Sequence, residues 1–162
     1  MQQKINNKSQ EIEKIRIRNK KRKISNVHKL YNPYNPSMYM SYQEKERKLI
    51  KKILNPFLSP ANNMKILEVG CGAGYNLHIL LGLGFKPENL YGNDILPDRI
   101  VQAQEFLPSK ITLLIEDATS LPFPNSYFSA VYASTVFSSI LDDDVQTTVS
   151  KEMWRLVKPG GG

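Results

Sequence analysis

A chain of 162 residues with 41% apolar and 23% charged side chains has the length and balance of one ordinary domain, which excludes both a wholly disordered chain and two full domains. A single cysteine, Cys71, cannot close an internal disulfide, and no Cys/His spacing suggests zinc, so a reducing, cytoplasmic address is expected. No apolar run is long enough for a membrane span, and residues 1–30 lack the apolar stretch of a signal peptide; neither a transmembrane segment nor that secretion route is expected.

The net charge of +7 is uneven: residues 1–52 carry 15 Lys/Arg against 4 Asp/Glu, and residues 53–162 carry 7 against 11. The basicity belongs to an N-terminal arm. Residues 1–41 are expected to form this arm and a Tyr/Asn/Pro loop, and residues 42–162 the folded domain. Such an arm could contact RNA or a peripheral anionic membrane surface by local attraction; a solvated, partly frayed helix is the simpler expectation.

From Lys4 to Ile24 the chain reads as a polar helix with a thin stripe at Ile5, Ile12 and Ile15. Tyr31-Asn32-Pro33-Tyr34-Asn35-Pro36 repeats a Tyr-Asn-Pro step; each proline pushes the residue before it out of the helical region, so an extended loop is expected. Tyr42 to Leu54 is an amphipathic helix that stops at Asn55-Pro56. After a loop at Ser59–Asn63, Met64 to Val69 is a nearly continuous apolar strand, followed by Gly70-Cys71-Gly72-Ala73-Gly74 and a helix from Tyr75 to Leu83. The pattern repeats with a strand at Leu90–Asp94, a helix opened by Leu96-Pro97-Asp98 and running through Phe106, and a strand at Ile111–Ile115. A fourth strand at Tyr127–Ala133 and a helix at Asp142–Val157 lead to Lys158-Pro159-Gly160-Gly161-Gly162. Apolar strands alternating with helices specify an α/β fold, a parallel sheet covered on both faces.

A glycine cluster after a first strand lets the backbone turn sharply and approach a ligand, beside the unpaired N–H groups that open the next helix. Asp94 lies twenty residues beyond Gly74 at the end of the second strand, where a carboxylate can accept both hydroxyls of a ribose. A dinucleotide fingerprint needs a third glycine one position later than Gly74, where this chain has the bulky Tyr75, so NAD is the weaker nucleoside candidate.

LEVGCGAG (Leu67 to Gly74), GND (Gly92 to Asp94), EDATSLPFPNSYFSAVYAS (Glu116 to Ser134) and EMWRLVKPGGG (Glu152 to Gly162) resemble, in order and spacing, the successive motifs of class I S-adenosylmethionine-dependent methyltransferases, and most closely their type 11 branch. The resemblance covers residues 42 to 162 and implies a Rossmann-like fold with S-adenosylmethionine as cofactor. It implies that Gly70, Cys71, Gly72, Ala73 and Gly74 pass beside the methionine part, with Glu68 bracing that loop or reaching the amino group through water. Asp94 would hold the ribose hydroxyls and Ile95 one face of the adenine. Asp117 would accept from the exocyclic amine and the Ala118 N–H would meet a ring nitrogen, while Ser134 would lie near the methionine moiety or the acceptor. YNPYNPSMYM and STVFSSILDDD are further similar to methyltransferases of surface-polysaccharide biosynthesis, so a small-molecule or glycan acceptor is expected rather than a nucleic acid. The family continues with strands five to seven, which do not follow Gly162; a chain truncated at its C-terminus, with an open edge on strand four, is therefore expected. A non-catalytic binding module with a basic arm is the alternative reading.

Other reactive residues have plainer readings. Cys71 has no His or Lys neighbour in sequence to activate it and reads as a small loop residue. His78 falls inside a helix, His28 in the arm, and Tyr31, Tyr34, Tyr39 and Tyr42 read as lid or packing aromatics. Asp142-Asp143-Asp144 opens a helix, where acids suit the helix dipole better than they suggest a metal.

Overall fold

Four short parallel strands form the centre of the fold in a computed structural model that describes residues 2–24, 35–51 and 63–162. They are β1 (Ile66–Val69), β2 (Leu90–Asp94), β3 (Thr112–Ile115) and β4 (Ala130–Ala133), in the order β3-β2-β1-β4. β1 pairs with β2 from Ile66 opposite Leu90, and with β4 from Ile66 opposite Ala130. The chain moves outward from β1 through β2 to β3 and then returns to β1's other side with β4. That reversal leaves a crevice outside the carboxyl ends of the strands, where ligands of open α/β sheets bind.

Alternation along β1 divides the core. Ile66 faces α3 (Tyr75–Gly82) and α4 (Pro97–Phe106), packing with Leu77, Leu80, Ile100 and Ala103; Leu67 and Val69 face α5 (Asp143–Leu156), packing with Phe128, Val149 and Leu156. Each fully buried Leu, Ile or Phe contributes about 1.5–3 kcal/mol relative to exposure, so these two layers supply most of the drive to fold. Asp142 caps α5 by accepting the Val145 N–H at 3.0 Å, the helix-opening role its sequence position suggests.

Several boundaries differ from the sequence expectation for identifiable reasons. α2 runs Pro36–Leu49, beginning six residues before Tyr42, because Pro36 occupies the first helical position and Asn35 caps it by accepting the Ser37 N–H at 3.0 Å. The Tyr-Asn-Pro steps before Asn35, His28, and the segment 52–62 lie outside the described residues. β4 begins at Ala130 because the N–H groups of Tyr127 and Phe128 both donate to the Leu156 carbonyl at the end of α5 and so leave the ladder. The outer edge of β4 is not bare along its described neighbours. Lys158 N–H donates to Phe128 O at 2.9 Å, and the Val131 N–H donates to Gly162 O at 2.9 Å, so the Pro-Gly-Gly segment returns beside the strand.

α1 spans Gln2–Ile24. Its face formed by Glu11, Ile12, Ile15, Arg18 and Asn19 lies against the loop after β4, while Glu13, Lys14, Arg16, Lys20 and Lys21 are exposed. Among the described residues no helix is long and apolar enough to cross a membrane.

Candidate functional site

A cavity of about 230 Å³ opens at the carboxyl ends of β1, β2 and β4. Gly70 and Gly72, in the loop from Gly70 to Gly74, form its floor. The Cys71 N–H donates to Asn93 O at 2.9 Å, which fastens this loop to β2. Gly70 has φ +67° and no space for a Cβ against Val136, whereas Gly72, at φ +55°, has nothing among the described residues within 4 Å of where a Cβ would lie. The first glycine is required by packing, and the second leaves backbone open to the cavity.

Asp94 ties the floor to the next wall. Its Oδ2 accepts the Gly72 N–H at 3.0 Å and its Oδ1 accepts the Leu96 N–H at 2.9 Å, at the start of α4. Burial pushes this carboxyl above the ordinary aspartate value, while the two N–H donors and nearby Arg99 oppose the shift. Each carboxylate oxygen has more than one acceptor site, so both remain able to take a ligand hydroxyl.

Gly70, Gly72, Asp94, Ile95, Asp117, Ala118 and Ser134 line this one cavity, so the structure brings together most of the residues singled out in the sequence. Asp117 accepts the Thr119 N–H at 2.8 Å and so orders the turn that presents the Ala118 backbone. Glu68, Cys71, Ala73 and Gly74 stand behind the lining. Cys71 is buried, its sulfur packed beneath Gly92, and burial pushes its thiol far up; it is a packing residue. Gly74 precedes α3 at φ +84° and abuts Leu107 and Ala103 of the α4 layer.

Glu68 is buried behind the glycine loop, where its Oε1 accepts from Asn76 Nδ2 at 2.5 Å. Tyr132 lies opposite it in the β1–β4 register; among the described residues the buried Tyr132 hydroxyl and Glu68 Oε2 close no hydrogen bond. Burial pushes the Glu68 carboxyl up to about 8, so it is largely protonated at neutral pH.

Other lining residues carry weaker sequence signals. Asn93 is buried; its Nδ2 donates to Glu116 O at 3.0 Å, and among the described residues its Oδ1 has no hydrogen-bond partner. Leu96, Arg99, Thr135 and Val136 also face the cavity, as do Glu11, Ile12, Ile15 and Asn19 of α1. Tyr42 stacks on Tyr75 with ring centroids 5.8 Å apart, and Tyr75 and His78 each contact Phe106, an aromatic ladder joining α2, α3 and α4 outside the cavity lining. Tyr42 and His78 thus serve packing, and Tyr39 is exposed.

A cavity with an open glycine floor, a carboxylate at its edge, apolar carbon from Ile95 and Leu96, and the turn at Asp117-Ala118 fits a nucleoside with a charged tail. Comparison with known proteins agrees with that fit. The family described as "Methyltransferase domain" matches residues 66–161, well over half of the chain. The sterol 24-C-methyltransferase erg6 of Aspergillus fumigatus is 34% identical over 105 residues, covering 60% of this chain and 26% of that protein. The demethylmenaquinone methyltransferase of Bacteroides fragilis is 29% identical over 143 residues, covering 85% of this chain and 55% of that protein. The chain thus spans between about a quarter and about half of the length of these relatives. Among solved structures, the PH0226 protein of Pyrococcus horikoshii superposes with a TM-score of 0.64 at 25% identity, covering 88% of this chain and 58% of that one. The SAM-bound amino pentose methyltransferase CalS10 of Micromonospora echinaspora shares the fold, with a TM-score of 0.62 at 20% identity over 74% of this chain and 48% of that one. The chain therefore belongs to the methyltransferase-domain family, in the class I fold group whose cofactor is S-adenosylmethionine.

Proposed function

We propose that the chain binds S-adenosylmethionine in this cavity and transfers its methyl group to a small-molecule acceptor. The observation that carries the reading is Asp94, held between the Gly72 and Leu96 N–H groups at the edge of a cavity that Ile95, Asp117 and Ala118 also line. S-adenosylmethionine supplies a methyl group on a positively charged sulfur, already activated for displacement.

In this reading Asp94 accepts the ribose hydroxyls, and Ile95 covers one face of the adenine. Asp117 accepts from the exocyclic amine, and the Ala118 N–H meets a ring nitrogen. The loop Gly70, Cys71, Gly72, Ala73 and Gly74 passes beside the methionine part, where an open Gly72 permits close approach. Glu68 braces the loop from behind through Asn76, and Ser134 lies on the methionine or acceptor side. The protein contributes orientation and exclusion of water, the terms that dominate when the leaving group needs little proton transfer. Residues 42–162 form the cofactor-binding domain in this account, and the arm of residues 1–41 adds α1 to the site. A free, buried Cys71 suits a cytoplasmic location.

The similarity of the relatives named for sterol and demethylmenaquinone methylation supports an acceptor with a substantial apolar body. So do Ile12, Ile15, Val136 and Ile140 in the lining. A glycan of surface-polysaccharide biosynthesis is the other acceptor class, supported by the resemblance of the Tyr-Asn-Pro stretch. Incubation with methyl-labelled S-adenosylmethionine and separate lipid, glycan and small-metabolite extracts tests the reading. Label in the lipid or small-metabolite extract is expected. Label confined to glycans would move the acceptor to that class, and no transfer to any extract would overturn the enzymatic reading.

A further inference from the structure

For the basic arm of residues 1–41 a solvated, partly frayed helix is the simpler expectation from sequence. The structure gives α1 a different place. Glu11 is 2% exposed, on a helix whose neighbouring charges are solvated. A buried carboxylate is costly unless it is paired and hydrogen-bonded, and Glu11 is both. Its Oε1 accepts the Leu141 N–H at 3.0 Å and pairs with Arg18 Nη2 at 3.1 Å, while Oε2 lies 3.7 Å from Lys14 Nζ. The same Arg18 Nη2 donates to Ser139 O at 2.6 Å. Two charged residues on one helical face, about two turns apart, therefore grip Ser139 and Leu141 of the loop that follows β4.

This grip sets Ile12, Ile15 and Asn19 into the lining of the cavity that holds Asp94. Asn19 is itself held by donating to Ile15 O at 3.2 Å. Ile12, Ile15 and Asn19 of α1, with Val136 and Ile140, line the same cavity as Asp94, Ile95, Asp117 and Ala118. We propose that Glu11 is a positioning residue that fixes α1 as the wall closing the cavity over bound nucleoside and acceptor, so that a helix outside the matched methyltransferase domain completes the site. The inference rests on the reading of the cavity as the S-adenosylmethionine site. Its physical basis is that displacement at a methyl group depends on orienting the acceptor and excluding water, and both require a closed wall.

The test uses the full 162-residue chain and S-adenosylhomocysteine as probe, measured by calorimetric titration and by amide hydrogen exchange along α1. Glu11→Ala removes both the acceptor for Leu141 and the partner of Arg18; Glu11→Gln keeps the one oxygen that both donors share but loses the charge. Expected are binding at least tenfold weaker for Glu11→Ala, an intermediate loss for Glu11→Gln, and slower exchange at residues 11–19 of the wild type when the probe is added. Probe-dependent protection is a readout that a helix serving fold stability alone would not give, and it needs no variant to fold. Wild-type binding without protection of residues 11–19, or with Glu11→Ala binding as wild type does, would overturn the inference alone. A wild type that does not bind the probe would overturn the cavity reading and the inference with it.

Discussion

Asn76, in the first turn of α3, donates through Nδ2 to Glu68 Oε1 on β1 and so bridges the two ends of the glycine loop. The Glu68 carboxyl is buried and its pKa is pushed up to about 8 from an ordinary value of 4.5, so the folded protein binds a proton there more tightly than the unfolded chain does. That contribution is fully present below about pH 4.5 and is lost as pH rises through about 8. Denaturant unfolding of the wild type from pH 5 to pH 9 should show this loss, on the order of a few kcal/mol. Glu68→Gln should flatten the profile across that window. A variant with the same pH slope as the wild type would place the titration elsewhere.

Glu152 and Arg155 of α5 clamp the connection between β3 and β4 that carries Leu121 and Phe123. Glu152 Oε1 accepts the Leu121 N–H at 2.7 Å and the Arg155 Nη2 at 2.6 Å; Arg155 also donates to Leu121 O at 3.2 Å, Phe123 O at 2.9 Å and Asn125 Oδ1 at 2.8 Å. The Arg155 guanidinium holds the Glu152 carboxyl below its usual range, despite burial. Glu152→Ala strands a buried N–H and the guanidinium; with Arg155 about a third exposed, a loss of about 2–3 kcal/mol is expected by chemical denaturation. Glu152→Gln, which keeps an acceptor for Leu121, should lose less. An unchanged midpoint for Glu152→Ala would show that water replaces the clamp.

Legibility in the sequence followed the range of the interactions. β2 reads directly because Leu90–Asp94 is a short apolar run between turns, and the glycine loop reads because its residue types answer a local backbone demand. Asp94 reads as a site candidate because it ends the second strand twenty residues beyond Gly74. Glu11 was not, because a carboxylate within a charged helix looks solvated until the fold brings Leu141, 130 residues away, against it. The one available signal was that Glu11, Ile12, Ile15, Arg18 and Asn19 share a helical face. Glu152 stood inside a quoted motif, yet its role depends on Leu121, which only the packing of α5 supplies.

The proposed cofactor site rests most on Asp94, and calorimetric titration of S-adenosylhomocysteine into the wild type and into Asp94→Ala is its decisive test. Losing two charged hydrogen bonds to a ribose, each worth about 1.5–3 kcal/mol, should weaken binding tenfold or more. Melting curves of both proteins should accompany the titration, because Asp94 also holds the Gly72 and Leu96 N–H groups. A folded wild type is expected to bind one-to-one, and a folded Asp94→Ala at least tenfold more weakly. Equal affinity for the two proteins, or a wild type that binds NAD in place of S-adenosylhomocysteine, would contradict this.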